Sequence, residues 1–236
     1  MSLKGKVAVM PGGEGPLGRV VSKKFLEEGA KVVIAWNSAE EWEGAKELIA
    51  DYKGQFIDIQ FDATKEEQVA ELMKKAKDSF GSVDILLHMV GMFRAGGMVW
   101  ETDTAILDKL LEVNLKSAFL CSKHAIKIML EKGWGRIVFF PAKLAVEPQP
   151  GLSAYSISKS GLLTLVLALR EELKDTNITA NAIMPTGIDT WKTRGMPNVD
   201  PDKLVKPSAI ADLLCCLCSE ECDALTASIL KVPAKL

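Results

Sequence analysis

Short runs of β-branched and other apolar residues alternate with longer segments of helical periodicity along most of the chain. The predicted strands are 7–10, 32–35, 57–61, 85–89, 137–140, 178–183 and 229–232. The predicted helices are 17–28, 39–52, 65–79, 103–130, 153–173 and 208–218. Strands that alternate with helices favour βαβ units, and strands that are apolar throughout favour cover by helices on both faces. The sequence therefore predicts an α/β protein with a doubly wound, Rossmann-type parallel sheet of about seven strands.

The chain of 236 residues has the length of one domain, and no repeat or low-complexity linker divides it. We therefore expect a single domain over residues 1–236. The stretch 185–207 is rich in Pro, Gly and Asn and follows the sixth predicted strand. Ligands of open α/β sheets bind beyond the carboxyl ends of the strands, so the sequence favours a short substrate lid at about 186–207. A plain surface connection is the alternative.

Composition excludes several partners. A formal net charge of −2, with 25% charged residues, gives no basic surface for nucleic acid. No stretch approaches the roughly 20 apolar residues that span a bilayer, and no signal-peptide pattern opens the chain. The odd number of five cysteines argues against a disulfide framework, so we expect a cytoplasmic protein with no membrane contact. We interpret the late cysteines as helix-face thiols and predict no metal site. These cysteines are Cys215, Cys216, Cys218 and Cys222.

A glycine-rich loop, Pro11-Gly12-Gly13-Glu14-Gly15-Pro16-Leu17-Gly18, lies between the first predicted strand and the first predicted helix. Glycines allow a sharp turn and close approach to a diphosphate, while the helix that follows offers free N–H groups and the positive end of its dipole. A tight turn without a ligand is the alternative interpretation. The position of the loop near the start of a βαβ unit favours dinucleotide binding, with Gly12, Gly15, Leu17 and Gly18 as cofactor-binding residues.

Tyr155 and Lys159 are four residues apart in the predicted helix 153–173 and therefore share one of its faces. A phenol with a pKa near 10 is a poor acid or base at neutral pH, and a nearby ammonium favours the phenolate. The pair predicts general acid–base chemistry in which Lys159 lowers the pKa of Tyr155.

On the glycine loop and the Tyr155/Lys159 helix, the chain resembles the short-chain dehydrogenase/reductase family, as a divergent member. The resemblance implies an NAD(P)-dependent oxidoreductase that transfers hydride between a nicotinamide cofactor and a small alcohol or carbonyl substrate. It implies that Tyr155 is the acid/base, that Lys159 also binds the nicotinamide ribose and that Asn114 holds a water in the proton relay. Asp62 would contact the adenine. It further implies a homodimer or homotetramer through the predicted helices 103–130 and 153–173.

The sequence also departs from the family pattern. Pro11 and Pro16 replace a Thr and a Gly of the main subgroup, although Gly12, Gly15 and Gly18 fit the spacing of the extended subgroup. Ala142 stands where the family has its catalytic Ser, which implies weak activity. The segment 88–91, His-Met-Val-Gly, replaces Asn-Asn-Ala-Gly. These changes keep open a catalytically impaired protein that serves as a dinucleotide-binding sensor or assembly subunit, although the retained Tyr and Lys favour an enzyme.

Several other residues have two interpretations each. The segment 35–38 after the second strand lacks both the Asp typical of NAD use and an Arg for a 2′-phosphate, so the choice between NAD and NADP stays open. Apolar residues either line a substrate pocket or belong to the core, namely Met92, Phe93, Met98 and Trp191. Cations either bind an anionic substrate or are solvated, namely Arg94, Lys192 and Arg194. We interpret His88 and His124 as packing residues. The spacing of Thr64 and Glu67 predicts a capping box at the start of the helix 65–79.

Overall fold

A computed structural model describes residues 2–196 and 199–233. Seven parallel strands form one sheet in the order β3-β2-β1-β4-β5-β6-β7. The strands are β1 Val7–Pro11, β2 Lys31–Trp36, β3 Phe56–Gln60, β4 Ile85–His88, β5 Gly135–Phe139, β6 Ile178–Pro185 and β7 Ile229–Val232. The predicted doubly wound sheet is confirmed, and each predicted strand corresponds to an observed one.

Helices cover both faces of this sheet. They are α1 Gly18–Glu27, α2 Ala39–Leu48, α3 Glu66–Phe80, α4 Thr104–Leu111, α5 Ser117–Lys132, α6 Ser153–Glu172, α7 Trp191–Arg194 and α8 Pro207–Leu217. Short 3-10 turns occupy Ala50–Tyr52, Lys143–Ala145, Pro201–Lys203 and Glu220–Cys222. One buried cluster joins α3, α5 and α6 to the sheet, and the other joins α1, α2 and α8. Successive strand residues enter opposite clusters, for example Val9 and Met10 of β1, which explains the unbroken apolar runs.

The predicted helix 103–130 differs from the structure in its interior. It consists of α4 and α5 joined by a π-helical turn, Glu112–Lys116, that contains the buried Asn114. A π turn adds one residue to a helical turn, often at a functional site, and apolar periodicity does not show it. The helix predicted over 39–52 is also shorter than expected, since α2 ends at Leu48 before a 3-10 turn.

The predicted capping box of Thr64 and Glu67 is wrong. The N-cap of α3 is Lys65, which makes no side-chain cap hydrogen bond. The hydroxyl of Thr64 instead donates to Oδ1 of Asp62 at 2.8 Å. Asp and Thr side chains often form local hydrogen bonds of this kind, and such bonds compete with the capping interaction.

The sheet topology reverses at β1, which lies between β2 and β4. At such a switch point the loops beyond the carboxyl ends diverge and leave a crevice. The glycine loop leaves β1 there. The segment after β6 contains α7 and returns through a bridge between Ile188 and Val205; its residues 197–198 lie outside the described part of the chain. No helix of the described ranges is long and apolar enough to span a membrane.

Candidate active site

The glycine loop packs so closely on its neighbours that two of its glycines leave no space for a side chain. Gly12 has a φ of +80°, and a Cβ at this position would lie 2.8 Å from the carbonyl carbon of Met89 beyond β4. A Cβ on Gly18 would lie 2.5 Å from the carbonyl oxygen of Gly12. These contacts hold the start of α1 against the loop, as in a diphosphate-binding turn.

The same loop lines two cavities. One, of about 510 Å³, extends to Tyr155 and Lys159. The other, of about 480 Å³, extends towards β2 and Asp62. Gly12, Gly15 and Pro16 line both cavities, while Leu17 and Gly18 line the first. The N–H of Gly18 has no intrahelical acceptor because Gly18 is the first residue of α1. The predicted loop residues therefore lie where one elongated ligand can pass from one cavity to the other.

Tyr155 and Lys159 occupy the first two turns of α6 and are both almost fully buried. Nζ of Lys159 donates to the carbonyl oxygen of Phe140 at 2.9 Å. Burial lowers the pKa of Lys159 to about 8 and raises the pKa of Tyr155 to about 12. The predicted lowering of the Tyr155 pKa is therefore wrong for this structure, because desolvation of the phenolate dominates and the ammonium is bonded to a backbone carbonyl.

Asn114 is completely buried and joins three parts of the site. Its Oδ1 accepts from the N–H of Met92 at 2.6 Å, and its Nδ2 donates to the carbonyl of Met92 and to Oγ of Ser158, both at 2.9 Å. The π turn thus directs this side chain to the segment after β4 and to α6. Its side chain connects backbone that lines the cavity to the helix that carries Tyr155 and Lys159.

Asp62 lies just beyond β3 and lines the cavity near β2. Its Oδ1 accepts from the N–H of Thr64 at 2.9 Å and from the Thr64 hydroxyl. These hydrogen bonds, led by the one from the backbone, hold the pKa of Asp62 below its ordinary value. The carboxylate is therefore charged at neutral pH and oriented by its own turn.

The wall around Tyr155 is mostly apolar. Phe93 meets the Tyr155 ring edge-on, with ring centroids 5.0 Å apart. Met92, Ala142 and Leu144 pack near Tyr155 and also line the cavity. The position predicted to lack the catalytic hydroxyl, Ala142, thus places a methyl group near Tyr155. Two of the four apolar candidates, Met92 and Phe93, line this cavity, whereas Met98 and Trp191 do not.

Two of the three cations that the sequence offered for an anionic substrate, Lys192 and Arg194, form ion pairs within the protein. Arg194 forms a two-pronged ion pair with Asp189, and Nζ of Lys192 lies 2.5 Å from Oε1 of Glu41. Arg94 is exposed and does not line the cavity.

Both histidines lie outside the cavity lining. Buried His88 contacts the Ser117 hydroxyl at 3.0 Å, and burial lowers its pKa to about 3. His124 lies 3.2 Å from Oε1 of Glu66.

Cys215 and Cys218 are buried in the cluster that joins α1, α2 and α8 to the sheet, while the half-buried Cys216 and Cys222 have sulfurs 3.0 Å apart. Within the described ranges, no group of three or more His, Cys, Asp or Glu residues has metal-binding geometry.

Sequence reasoning missed Glu14, which lies inside the glycine loop. The side chain is 8% exposed, and Oε1 accepts from the N–H of Asn37, the residue after β2, at 2.9 Å. Its position among the glycines was the only signal. The contact with Asn37 depends on the fold, so spacing alone does not predict it.

The fold and the two cavities that share the glycine loop are typical of a dinucleotide-binding protein. The family model described as short chain dehydrogenase matches residues 6–198. The chain is 29% identical to the NAD(+)-dependent 2-dehydro-3-deoxy-L-rhamnonate dehydrogenase of Sphingomonas sp. strain SKA58, over 95% of this chain and 92% of that protein. It is 31% identical to the 3alpha-hydroxysteroid dehydrogenase of Mediterraneibacter gnavus, over 98% and 97%. The solved structure of ElxO with NADP bound superimposes with a TM-score of 0.89 at 26% identity, covering 96% of each chain.

The chain therefore belongs to the short-chain dehydrogenase/reductase family. It is an NAD(P)-dependent oxidoreductase that transfers hydride between a nicotinamide cofactor and an alcohol or carbonyl substrate. The cofactor is NAD or NADP, since both occur among these similar proteins. The catalytically impaired alternative is not favoured.

Proposed function

We propose that Tyr155 is the acid/base of the reaction, with Lys159 and Asn114 as the other residues of its proton relay. The supporting observation is that the cavity containing Tyr155 and Lys159 continues along the glycine loop. When bound, the nicotinamide supplies or accepts the hydride. Gly12, Gly15, Leu17 and Gly18 hold the diphosphate, and Asp62 lies at the adenosine end. Lys159 holds the nicotinamide ribose.

At neutral pH the phenol of Tyr155 carries its proton, and burial, which raises its pKa to about 12, favours the same state. The side chain can therefore donate that proton to a carbonyl oxygen during reduction. We propose a secondary alcohol or ketone with an apolar body as substrate. This assignment rests on the wall formed by Met92, Phe93 and Leu144 around the phenol. The steroid substrate in the name of the Mediterraneibacter relative is consistent with such a body.

Replacing Tyr155 by Phe tests the assignment, because it removes the proton and keeps the ring that packs on Phe93. Turnover of cyclic ketones with NADH and NADPH should fall to background, while the Kd of each cofactor stays within about twofold. The matched control is Tyr52→Phe, which changes the other tyrosine of the chain, outside the site, and should leave turnover unchanged. Unchanged reductase activity in Tyr155→Phe would refute the role of the phenol.

We also propose that the protein is a homodimer or homotetramer through α4, α5 and α6. An apolar groove of about 1000 Å³ runs between these helices, with Leu111, Leu115, Phe119 and Leu165 along it. Phe119 and Leu167 are about half exposed, at 55% and 48%. Contiguous apolar surface of this kind is typical of a subunit interface, and the family forms a four-helix interface from the corresponding helices.

Light scattering tests the assembly, because the monomer mass is 25.7 kDa. We expect two or four times that mass at micromolar concentration. Phe119→Glu should shift the particle to monomer by placing a charge in the interface. Leu48→Glu is the matched control on α2, outside the groove, and should leave the mass unchanged. A monomeric wild-type particle would exclude this proposal.

We propose that residues 186–207 form the substrate lid of a single domain that extends over residues 1–236. Thr193, Met196, Val199 and Leu204 from this segment line the substrate cavity, which supports a role in closing it. We place the protein in the cytoplasm, because all five cysteines are free thiols, as is typical of a reducing compartment.

A further inference from the structure

The end of β2 has an acidic group that the strand itself does not supply. The strand ends at Trp36, and Asn37 follows it. The carboxylate of Glu14 reaches this point from the glycine loop and accepts the N–H of Asn37. Glu14 also lines the cavity of about 480 Å³, together with Asn37 and Ser38.

The second carboxylate oxygen of Glu14 is short of a partner. Oε2 is buried and receives no hydrogen bond from any group in the described part of the chain. A buried carboxylate oxygen without a donor costs free energy that a ligand hydroxyl can recover. In doubly wound folds, an acidic group at the end of the second strand accepts the adenosine ribose 2′-hydroxyl.

Two cations line this cavity, Lys109 and Lys192, and each forms an ion pair with a glutamate. Nζ of Lys192 pairs with Oε1 of Glu41, whose side chain lines the same cavity. One terminal nitrogen of Arg19 donates to the carbonyl oxygens of Glu14 and Glu41, its guanidinium lies 4.3 Å from the Trp191 ring centroid, and its Nε has no partner in the described part of the chain. A 2′-phosphate would lie against the carboxylates of Glu14 and Glu41, which repel it, and it would have to compete with Glu41 for Lys192.

From these contacts we propose that Glu14 is the residue that selects NAD(H) over NADP(H), by accepting the adenosine ribose 2′-hydroxyl on its carboxylate. The inference rests on the proposed dinucleotide site and assigns its specificity to the glycine loop instead of β2. A hydroxyl donates well to a carboxylate, whereas a phosphate at that position offers only negative oxygens.

Binding titrations followed by NADH and NADPH fluorescence test the proposal without turnover. The wild-type protein should bind NADH at least about tenfold more tightly than NADPH. Glu14→Gln keeps the shape and the acceptor for Asn37 but removes the charge. It should weaken NADH binding by on the order of 10- to 100-fold and leave NADPH binding equal or tighter. Glu43→Gln makes the same chemical change on the exposed surface of α2 and should alter neither Kd.

A cycle with 2′-deoxy-NADH separates recognition of the hydroxyl from damage to the loop. Loss of the 2′-hydroxyl should weaken binding to the wild type by about the same factor as Glu14→Gln, and the variant should bind both nucleotides equally. Equal weakening of both nucleotides by Glu14→Gln would overturn the proposal, as would wild-type preference for NADPH or equal binding of both cofactors. The wild-type ratio needs no variant, so it decides even if Glu14→Gln does not fold. Failure to bind either cofactor would refute the dinucleotide site itself, and this proposal with it.

Discussion

Replacing Asn114 by Ala should destabilise the protein well beyond the cost of an ordinary buried polar substitution. The change removes three hydrogen bonds, two to the backbone of Met92 and one to Ser158. Each contributes about 1 kcal/mol net, and Ala recovers about 0.5 kcal/mol of helix propensity. We therefore expect the free energy of unfolding to fall by about 2–3 kcal/mol, equivalent to a loss in Tm on the order of 5–10 °C for a chain of this size.

Urea unfolding followed by tryptophan fluorescence, at one fixed protein concentration, measures this loss. Ser122→Ala is the control, because it removes a single buried hydrogen bond, within α5 to the carbonyl of Ala118. That variant should lose about 1 kcal/mol or less. Since Met92 lines the cavity, Asn114→Ala should also raise KM for the substrate. A loss no larger than that of Ser122→Ala would refute the bridging role that we assign to Asn114.

Three further substitutions, and one control, test the rate of turnover, the stability of the fold and the binding of the cofactor. Ala142→Ser restores a hydrogen-bond donor beside Tyr155 and should raise kcat by up to about 10²- to 10³-fold. An unchanged kcat in steady-state assays would show that the missing donor does not limit the rate of turnover. Lys159→Met should abolish turnover yet raise the free energy of unfolding of the cofactor-free protein by about 2 kcal/mol at pH 7. Burial lowers the Lys159 pKa from 10.5 to about 8, which costs about 3 kcal/mol, and the bond to Phe140 returns about 1 kcal/mol. Between these two pKa values the folded state binds fewer protons than the unfolded state, so the wild type gains stability as pH rises. The gain in free energy of unfolding of Lys159→Met over the wild type should therefore shrink from pH 8 to 10.5. A Lys159→Met variant that is less stable than the wild type at pH 7 in urea unfolding would contradict this. Gly18→Ala places a Cβ 2.5 Å from the Gly12 carbonyl oxygen and should weaken NADH binding at least about tenfold, whereas Gly15→Ala, at 3.3 Å, should weaken it less; equal Kd values in fluorescence titrations would show that the loop relaxes.

The sheet was predictable because both of its faces are covered. Val9 and Met10 are adjacent in β1 yet belong to different buried clusters. Because both faces of the strand are buried, its sequence is apolar at every position, and this pattern can be recognised without a structure. The pairing of a glycine loop with Tyr155 and Lys159 was predictable for a similar reason. Local spacing puts those two side chains on one helix face, and the topology of a doubly wound sheet brings the loop to the same edge.

Features that depend on one added residue or on a distant backbone group were not predictable. The π turn at Asn114 interrupts a helix whose apolar pattern continues on both sides. Thr64 and Glu67 have the spacing of a capping box, but the Thr64 hydroxyl donates its hydrogen bond to Asp62 instead. The bond from Asn37 to Glu14 joins residues 23 positions apart and exists only because β1 and β2 are neighbours.

The direction of the Tyr155 pKa shows how burial and a missing donor act together at this site. A neighbouring cation stabilises a phenolate most strongly when it also donates a hydrogen bond to the phenol oxygen, and here Lys159 donates to the carbonyl oxygen of Phe140. A hydroxyl at position 142 would donate to the phenolate or to the reacting oxygen, whereas the Ala142 methyl can do neither. Desolvation therefore acts without opposition and raises the pKa of Tyr155 to about 12. A phenol in that state retains its proton at neutral pH. Burial of Tyr155 and the methyl group of Ala142 beside it thus act in the same direction on the pKa of the phenol.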